Sequence, residues 1–223
     1  MARNAKQSRP QLVCILADDS GSMAGEKARA ATDGIREAIM ECQSSGPSGP
    51  ERSYFRLLLI RFDSTAEIDS NCDMTPVRQI DPDSIEITGS GSQTNITGAL
   101  QLLLERLRPY LQGLAEHKER AEHPLPLVFL FSDGQHNVGE QPLGVAGEIK
   151  QLALDGEPIV IASAGVSVGA DRPDEKTLSE IASPGCYATI KDVQLLTRLI
   201  AAVASSGASR AQDVAEIMKN IQE

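Results

Sequence analysis

Short, uninterrupted apolar runs alternate along this chain with segments of helical spacing, and the three longest runs each break off at an aspartate. Residues 11–17 (QLVCILA) stop at Asp18, 54–62 (YFRLLLIRF) at Asp63, and 124–132 (PLPLVFLFS) at Asp133. Runs this short, apolar on successive positions, predict strands buried on both faces. Helical spacing is clear over 24–42, where Ala28, Ala31, Ile35, Ala38, Ile39 and Cys42 fall on one face. Further helices are predicted over 96–111, 143–154, around 178–182, over 195–204 and over 211–221. Strands are predicted at 158–163 and 186–190, with a short edge strand at 66–68 pairing with the run before it. Residues 71–87 keep no clean period and read as one or two short strands with a turn at Asp81–Pro82.

The resulting order, β-α-β-β-α-β-α-β-α-β-α, implies an α/β domain with a mainly parallel central sheet, one antiparallel edge strand and helices on both faces. The domain is assigned to 11–206, between a tail at 1–10 and a C-terminal helix at 207–223. Ligands on such sheets bind beyond the carboxyl ends of the strands. Three polar segments, 18–22, 89–95 and 132–137, follow strands or open helices, so they are expected to converge on one rim.

The first of these segments places Asp18, Ser20 and Ser22 in a D-x-S-x-S pattern, with Gly21 relaxing the backbone between them. Alternate side chains of a loop over a strand end are able to point at one centre. Carboxylate and hydroxyl oxygens are hard donors that suit Mg²⁺, Mn²⁺ or Ca²⁺. Thr94 in the second segment and Asp133 in the third complete a candidate shell. Alone, D-x-S-x-S has a plainer reading: Asp18 starts a turn, Thr94 or Asn95 caps a helix, and Asp133–Gly134 closes a strand. The three segments in this order favour the metal site.

In ILADDSGSM (15–23), QTNITGAL (93–100) and LVFLFSDG (127–134) the sequence resembles the von Willebrand factor A (vWA) family, whose fold is Rossmann-like. These stretches correspond to the three segments of that family's metal-ion-dependent adhesion site (MIDAS). The likeness in order and spacing runs from about residue 11 to residue 204. It implies that Ser20, Ser22 and Thr94 reach a divalent ion directly or nearly so, with Asp18 and Asp133 acting directly or through water. Asp19, Met23, Gln93, Gln135, His136 and Asn137 are expected to form the surrounding rim. Five protein oxygens with only two carboxylates are expected to leave the ion under-neutralised and one position open for a partner's Asp or Glu.

Within the family, ILADDSGSM-AGEK, the long loop before the second strand and the ending LIAAVASSGAS resemble the bacterial TerY-like branch. That branch is associated with tellurite-resistance and stress gene clusters, beside a serine/threonine kinase and a PP2C-type phosphatase. The resemblance implies an adaptor or scaffold rather than an enzyme. The departure is Asp19, where Thr is usual; it touches rim contacts, not metal ligands.

The same residues admit two other readings. A receiver-like phosphoacceptor would use Asp18 and Asp19 with Asp63, and Ser132 as its hydroxyl, but 158–165 (PIVIASAG) offers no Lys; a haloacid-dehalogenase phosphatase needs D-x-D, where Ser20 stands. A purely structural domain with an empty site is the other alternative. No hydrolase triad is recognisable, and GSGS (89–92) lacks the Lys-Ser/Thr ending of a P-loop.

Composition narrows the partners. The formal net charge is −10, which disfavours nucleic acid and anionic membrane surfaces. Arg3, Lys6 and Arg9 are read as a solvated tail, and His117 and His123 in HKERAEH as exposed loop or helix-end residues. Cys14, Cys42, Cys72 and Cys186 are far apart and without C-x-x-C spacing, which fits reduced thiols and a cytoplasmic location. No run approaches the length of a membrane span.

Overall fold

All eight residues of β1 (Gln11–Asp18) are buried, as the apolar run requires. A strand that shows no face to water must lie inside a sheet covered on both sides. The computed structural model describes residues 10–44, 54–116, 124–168, 172–208 and 210–222. After β1 come α1 (Glu26–Ser44), β2 (Phe55–Phe62), β3 (Ala66–Ile68), β4 (Thr75–Pro76) and α2 (Ile96–Ala115). They are followed by β5 (Leu127–Ser132), α3 (Leu143–Gln151), β6 (Ala153–Leu154), β7 (Glu157–Pro158) and β8 (Val160–Val166). The chain continues with α4 (Glu175–Ile181), β9 (Tyr187–Ile190), α5 (Val193–Ser205) and α6 (Ala211–Gln222). The expectations for residues 1–9 and for His117 and His123 lie outside the described residues.

The main sheet runs β3-β2-β1-β5-β8-β9, and β4 also pairs with β2. β2, β1, β5, β8 and β9 are parallel, whereas β3 and β4 pair antiparallel with β2 at the edge. Alternate residues of β1 serve opposite layers. Val13, Ile15 and Ala17 pack with α1, α5 and α6, while Leu12, Cys14 and Leu16 pack with α2, α3 and α4. With aromatics only 3% of the chain, branched aliphatics carry both layers. A truncation such as Leu16→Ala is expected to cost about 2–5 kcal/mol. α6 joins the first layer through the buried side chains of Val214 and Met218.

One stretch meets its expectation of a short strand and a turn at Asp81–Pro82, and another departs from the expected order. Residues 71–87 contain β4 and two single turns of 3₁₀ helix, Val77–Gln79 and Pro82–Ser84. The predicted helix over 143–154 stops at Gln151, because β6 and β7 form a small hairpin around Asp155 and Gly156, both at positive φ. Asp-Gly is a strong hairpin signal, and the helical spacing masked it.

Strand order decides where a ligand can bind. From β1 the chain moves to β2 on one side, then returns through α2 to β5 on the other. The carboxyl ends of β1 and β5 therefore flank the point where the connections diverge, which leaves a crevice uncovered by crossover loops. Asp18 ends β1, and Asp133 follows the last residue of β5. Among the described residues, no helix is long and apolar enough to cross a membrane.

Candidate metal centre at the carboxyl ends of β1 and β5

Asp18 is fully buried, and each of its oxygens has a donor. Oδ1 accepts the backbone N–H of Ser20 at 2.9 Å, and Oδ2 accepts the hydroxyl of Ser132. Ser132 in turn accepts the backbone N–H of Gly134 at 3.1 Å. Burial pushes the Asp18 carboxyl up to about 6; the hydrogen bonds from Ser132 and Ser20 pull the other way, and the nearby Asp133 adds to the rise. The group is thus held in place yet lacks full compensation for its charge, the condition in which a cation is welcome.

Beyond Asp18 the first loop makes a turn of 3₁₀ helix, Gly21–Met23. Its geometry brings the Ser20 and Ser22 hydroxyls to 3.1 Å from each other. Ser22 donates to Oδ1 of Asp133 at 2.6 Å, and Lys27 donates to the other oxygen, Oδ2. The bonds thus run continuously from β5 through Ser132 to Asp18, along the first loop, and back to Asp133. Thr94 enters from the second loop. It is buried, and its hydroxyl lies so near Gly134 that a Cβ there would stand 2.8 Å from Thr94 Oγ1. Asn137 holds that loop in both directions: its side chain accepts from Thr94 N at 3.0 Å, and its N–H donates to Thr94 O at 3.2 Å. Asn95 caps α2 by accepting from Gly98 N at 2.8 Å.

The five predicted oxygen donors therefore come together. Asp18, Ser20, Ser22 and Asp133 share one network, and Thr94 stands against its edge. The donor set is two carboxylates and three hydroxyls, hard ligands throughout, and it fits a small divalent cation. Among the described residues no group of three or more His, Cys, Asp or Glu is placed to hold a metal ion, so at this centre the hydroxyls of Ser20, Ser22 and Thr94 would have to complete the shell begun by the two carboxylates.

The rim is only partly as expected. Gln93, Gln135 and Asn137 are exposed around the site. Met23 is fully buried in the layer under α1, since the turn after Ser22 swings this apolar side chain inward; it is core, not rim. Asp19 is drawn sideways, where its Oδ1 accepts from Thr88 N at 2.7 Å, Thr88 Oγ1 at 3.1 Å and Gly89 N at 2.5 Å. It fastens the first loop to the second. His136 donates through Nε2 to Glu140 O at 2.8 Å and lies near Thr97, so its ring is committed to its own loop.

Lys27 escaped the sequence reading, and Ser132 entered it only as the hydroxyl of the receiver-like alternative. Ser132 reads as the last residue of an apolar strand, and Lys27 as an ordinary charge in the first turn of a helix. Yet Lys27 is buried against Asp133, whose side chain is 0% exposed. The charge expectation changes with it. Two carboxylates by themselves match a divalent ion, and it is Lys27 that leaves the site short of negative charge. Asp63, the receiver-like candidate, closes its own turn by accepting Thr65 N at 2.9 Å.

Neither a family model nor a curated protein matches the chain, but solved structures do. Proximal thread matrix protein 1 of the mussel byssus, in a form with a zinc-occupied MIDAS motif, superposes with a TM-score of 0.60 at 18% identity. That match covers 96% of this chain and 49% of the byssus protein. The pilus adhesin SpaC of Lactobacillus rhamnosus GG gives 0.62 at 14% identity, covering 98% of this chain and 32% of SpaC. The chain thus spans half or less of these two proteins. The vWF domain of the type V pili tip protein Mfa5 of Porphyromonas gingivalis gives 0.56 at 13% identity, covering 97% of each chain. Sheet order, the antiparallel edge, the helices on both faces and these superpositions together establish that the chain has the fold of a von Willebrand factor A domain.

Proposed function

We propose that this domain binds a partner protein through a divalent cation, Mg²⁺ in the first instance, held by Asp18, Ser20, Ser22, Thr94 and Asp133. The observation that carries the proposal is the hydrogen-bonded circuit joining four of these residues at the point where the sheet connections diverge. When bound, the ion supplies an electrophilic centre with a coordination position left for an acidic side chain of the partner. The chain's own residues do the rest. Ser132 and Ser20 N orient Asp18, Ser22 orients Asp133, and Asn137 fixes the backbone that presents Thr94. Gln93, Gln135 and Asn137 stand exposed where a partner would touch.

The domain acts as an adaptor rather than a catalyst in this reading. The resemblance of its opening and ending segments to the TerY-like branch supports extending this reading to a bacterial stress or tellurite-resistance system. The partners would be a serine/threonine kinase, a PP2C-type phosphatase, or both. The four free, buried cysteines suit a reducing cytoplasm. Thermal unfolding with Mg²⁺ and with EDTA tests the metal half: Mg²⁺ raises the midpoint of the wild type, and Ser22→Ala removes that rise. Co-purification with the kinase and phosphatase tests the partner half, with Thr94→Ala losing partners that wild type keeps. Equal recovery by Thr94→Ala and wild type would overturn the adhesion mechanism.

A further inference from the structure

We propose that Lys27 sets the charge of this site so that a divalent cation and an outside carboxylate bind to it as a pair, a proposal that rests on the metal-site reading above. The two oxygens of Asp133 are divided. Oδ1 accepts from Ser22 on the rim, and Oδ2 accepts from Lys27 on α1. Only 10% of the Lys27 side chain is exposed, so water and salt screen its charge poorly. Buried at the helix start, it orients Asp133 toward the hydroxyls and cancels one of the two negative charges.

Three further carboxylates beside these loops are turned elsewhere, Asp19 onto Thr88 and Gly89, Asp63 onto Thr65, and Asp174, whose N–H reaches Gly134 O, onto Thr177. Asp18 and Asp133 less Lys27 leave a single net negative charge. A divalent cation converts this into a single net positive charge in a buried setting, which is costly without a counterion. A carboxylate arriving alone meets a negative site. The two together bring the site to neutrality. Each is therefore expected to raise the affinity for the other by the same factor, as linkage requires. Without Lys27 the two aspartates would balance the cation alone, and the outside carboxylate would add an excess negative charge.

The experiment is a Mn²⁺ titration followed by electron paramagnetic resonance, with and without saturating acetate as the carboxylate probe. It compares wild type with Lys27→Met, which keeps the apolar stem, and Lys27→Arg, which keeps the charge. Acetate is expected to tighten Mn²⁺ binding to wild type and to Lys27→Arg by about tenfold. Lys27→Met is expected to bind Mn²⁺ about tenfold more tightly than wild type without acetate, and to lose the acetate effect. Unchanged or weaker Mn²⁺ affinity in a folded Lys27→Met, or an acetate effect that survives there, overturns the role of Lys27 while leaving the metal site standing. Should Lys27→Met not fold, absence of acetate coupling in wild type and Lys27→Arg overturns it equally. Failure of wild type to bind Mn²⁺ at all removes the metal-site reading, and this inference with it.

Discussion

Ser132 donates its hydroxyl hydrogen to Oδ2 of Asp18, joining the last residue of β5 to the last residue of β1. Both residues are 0% exposed, so neither finds water as a substitute partner. The bond spans the crevice that the sheet order opens between these strands. It holds the carboxylate before any ligand arrives.

Ser132→Ala should therefore act on both stability and binding. It leaves one Asp18 oxygen buried without this donor, which costs about 1–3 kcal/mol in urea unfolding with EDTA present. The Mg²⁺-induced rise in melting temperature should also shrink. A variant matching wild type in both measurements would show that the bond does not orient Asp18.

The raised Asp18 value carries a definite pH signature. The folded carboxyl is pushed up to about 6 from its ordinary 3.8, mainly by burial. Between these values the folded chain holds more proton than the unfolded one, so this group's contribution to stability falls as pH rises. Compared in EDTA, Asp18→Asn should gain on wild type across that interval and keep a constant advantage above it. Mg²⁺ at pH 7 should stabilise wild type and leave Asp18→Asn unmoved. An advantage for Asp18→Asn that widens on acidification would carry the wrong sign.

Two glycines should fail in different ways. Gly89 has φ +62°, and a Cβ there would stand 2.4 Å from Ala24 N, a backbone atom with little room to retreat. Gly89→Ala should lose about 2 kcal/mol or more of folding stability. At Gly134 the obstructing atom is the Thr94 hydroxyl oxygen, at 2.8 Å, a side-chain atom that a change of χ1 rather than a backbone shift moves aside. Gly134→Ala should keep most of its stability and lose the Mg²⁺ response. Urea titration and thermal shift on the same samples separate the two outcomes.

Thiol chemistry offers a check on the core. Burial pushes Cys42 and Cys72 up to about 12 and Cys186 up to about 11, and Cys14 higher still. Thiolate is the reactive form, so none of the four should react with a disulfide reagent at pH 8 until the chain unfolds. Rapid modification of a single thiol in the native protein would place an opening at that residue.

Much of the architecture was legible in the residues because buried parallel strands leave continuous apolar runs. Those runs end at Asp18, Asp63 and Asp133, which put the strand ends in view without any contact information. What escaped depends on the third dimension. The direction of the Met23 side chain is set by the turn after Ser22, and a pattern of polar loop residues does not record it. Lys27 lies in a helix whose first turn would normally be wet, and its burial follows only from where β5 delivers Asp133. Ser132 belongs to an apolar strand, and its hydroxyl acquires a purpose only when β1 lies alongside. The hairpin at Asp155 and Gly156 is a different case, a local signal masked because the apolar spacing of the preceding helix runs on to Leu154.

Five oxygen-bearing side chains from three loops are proposed to hold one divalent ion. Anomalous diffraction at the manganese edge, from crystals grown in millimolar Mn²⁺, addresses this directly. One peak is expected about 2 Å from both Ser20 Oγ and Ser22 Oγ, with Thr94, Asp18 and Asp133 in direct contact or one water away. No peak between β1 and β5, with Ser22 and Lys27 still sharing the two oxygens of Asp133, would contradict it.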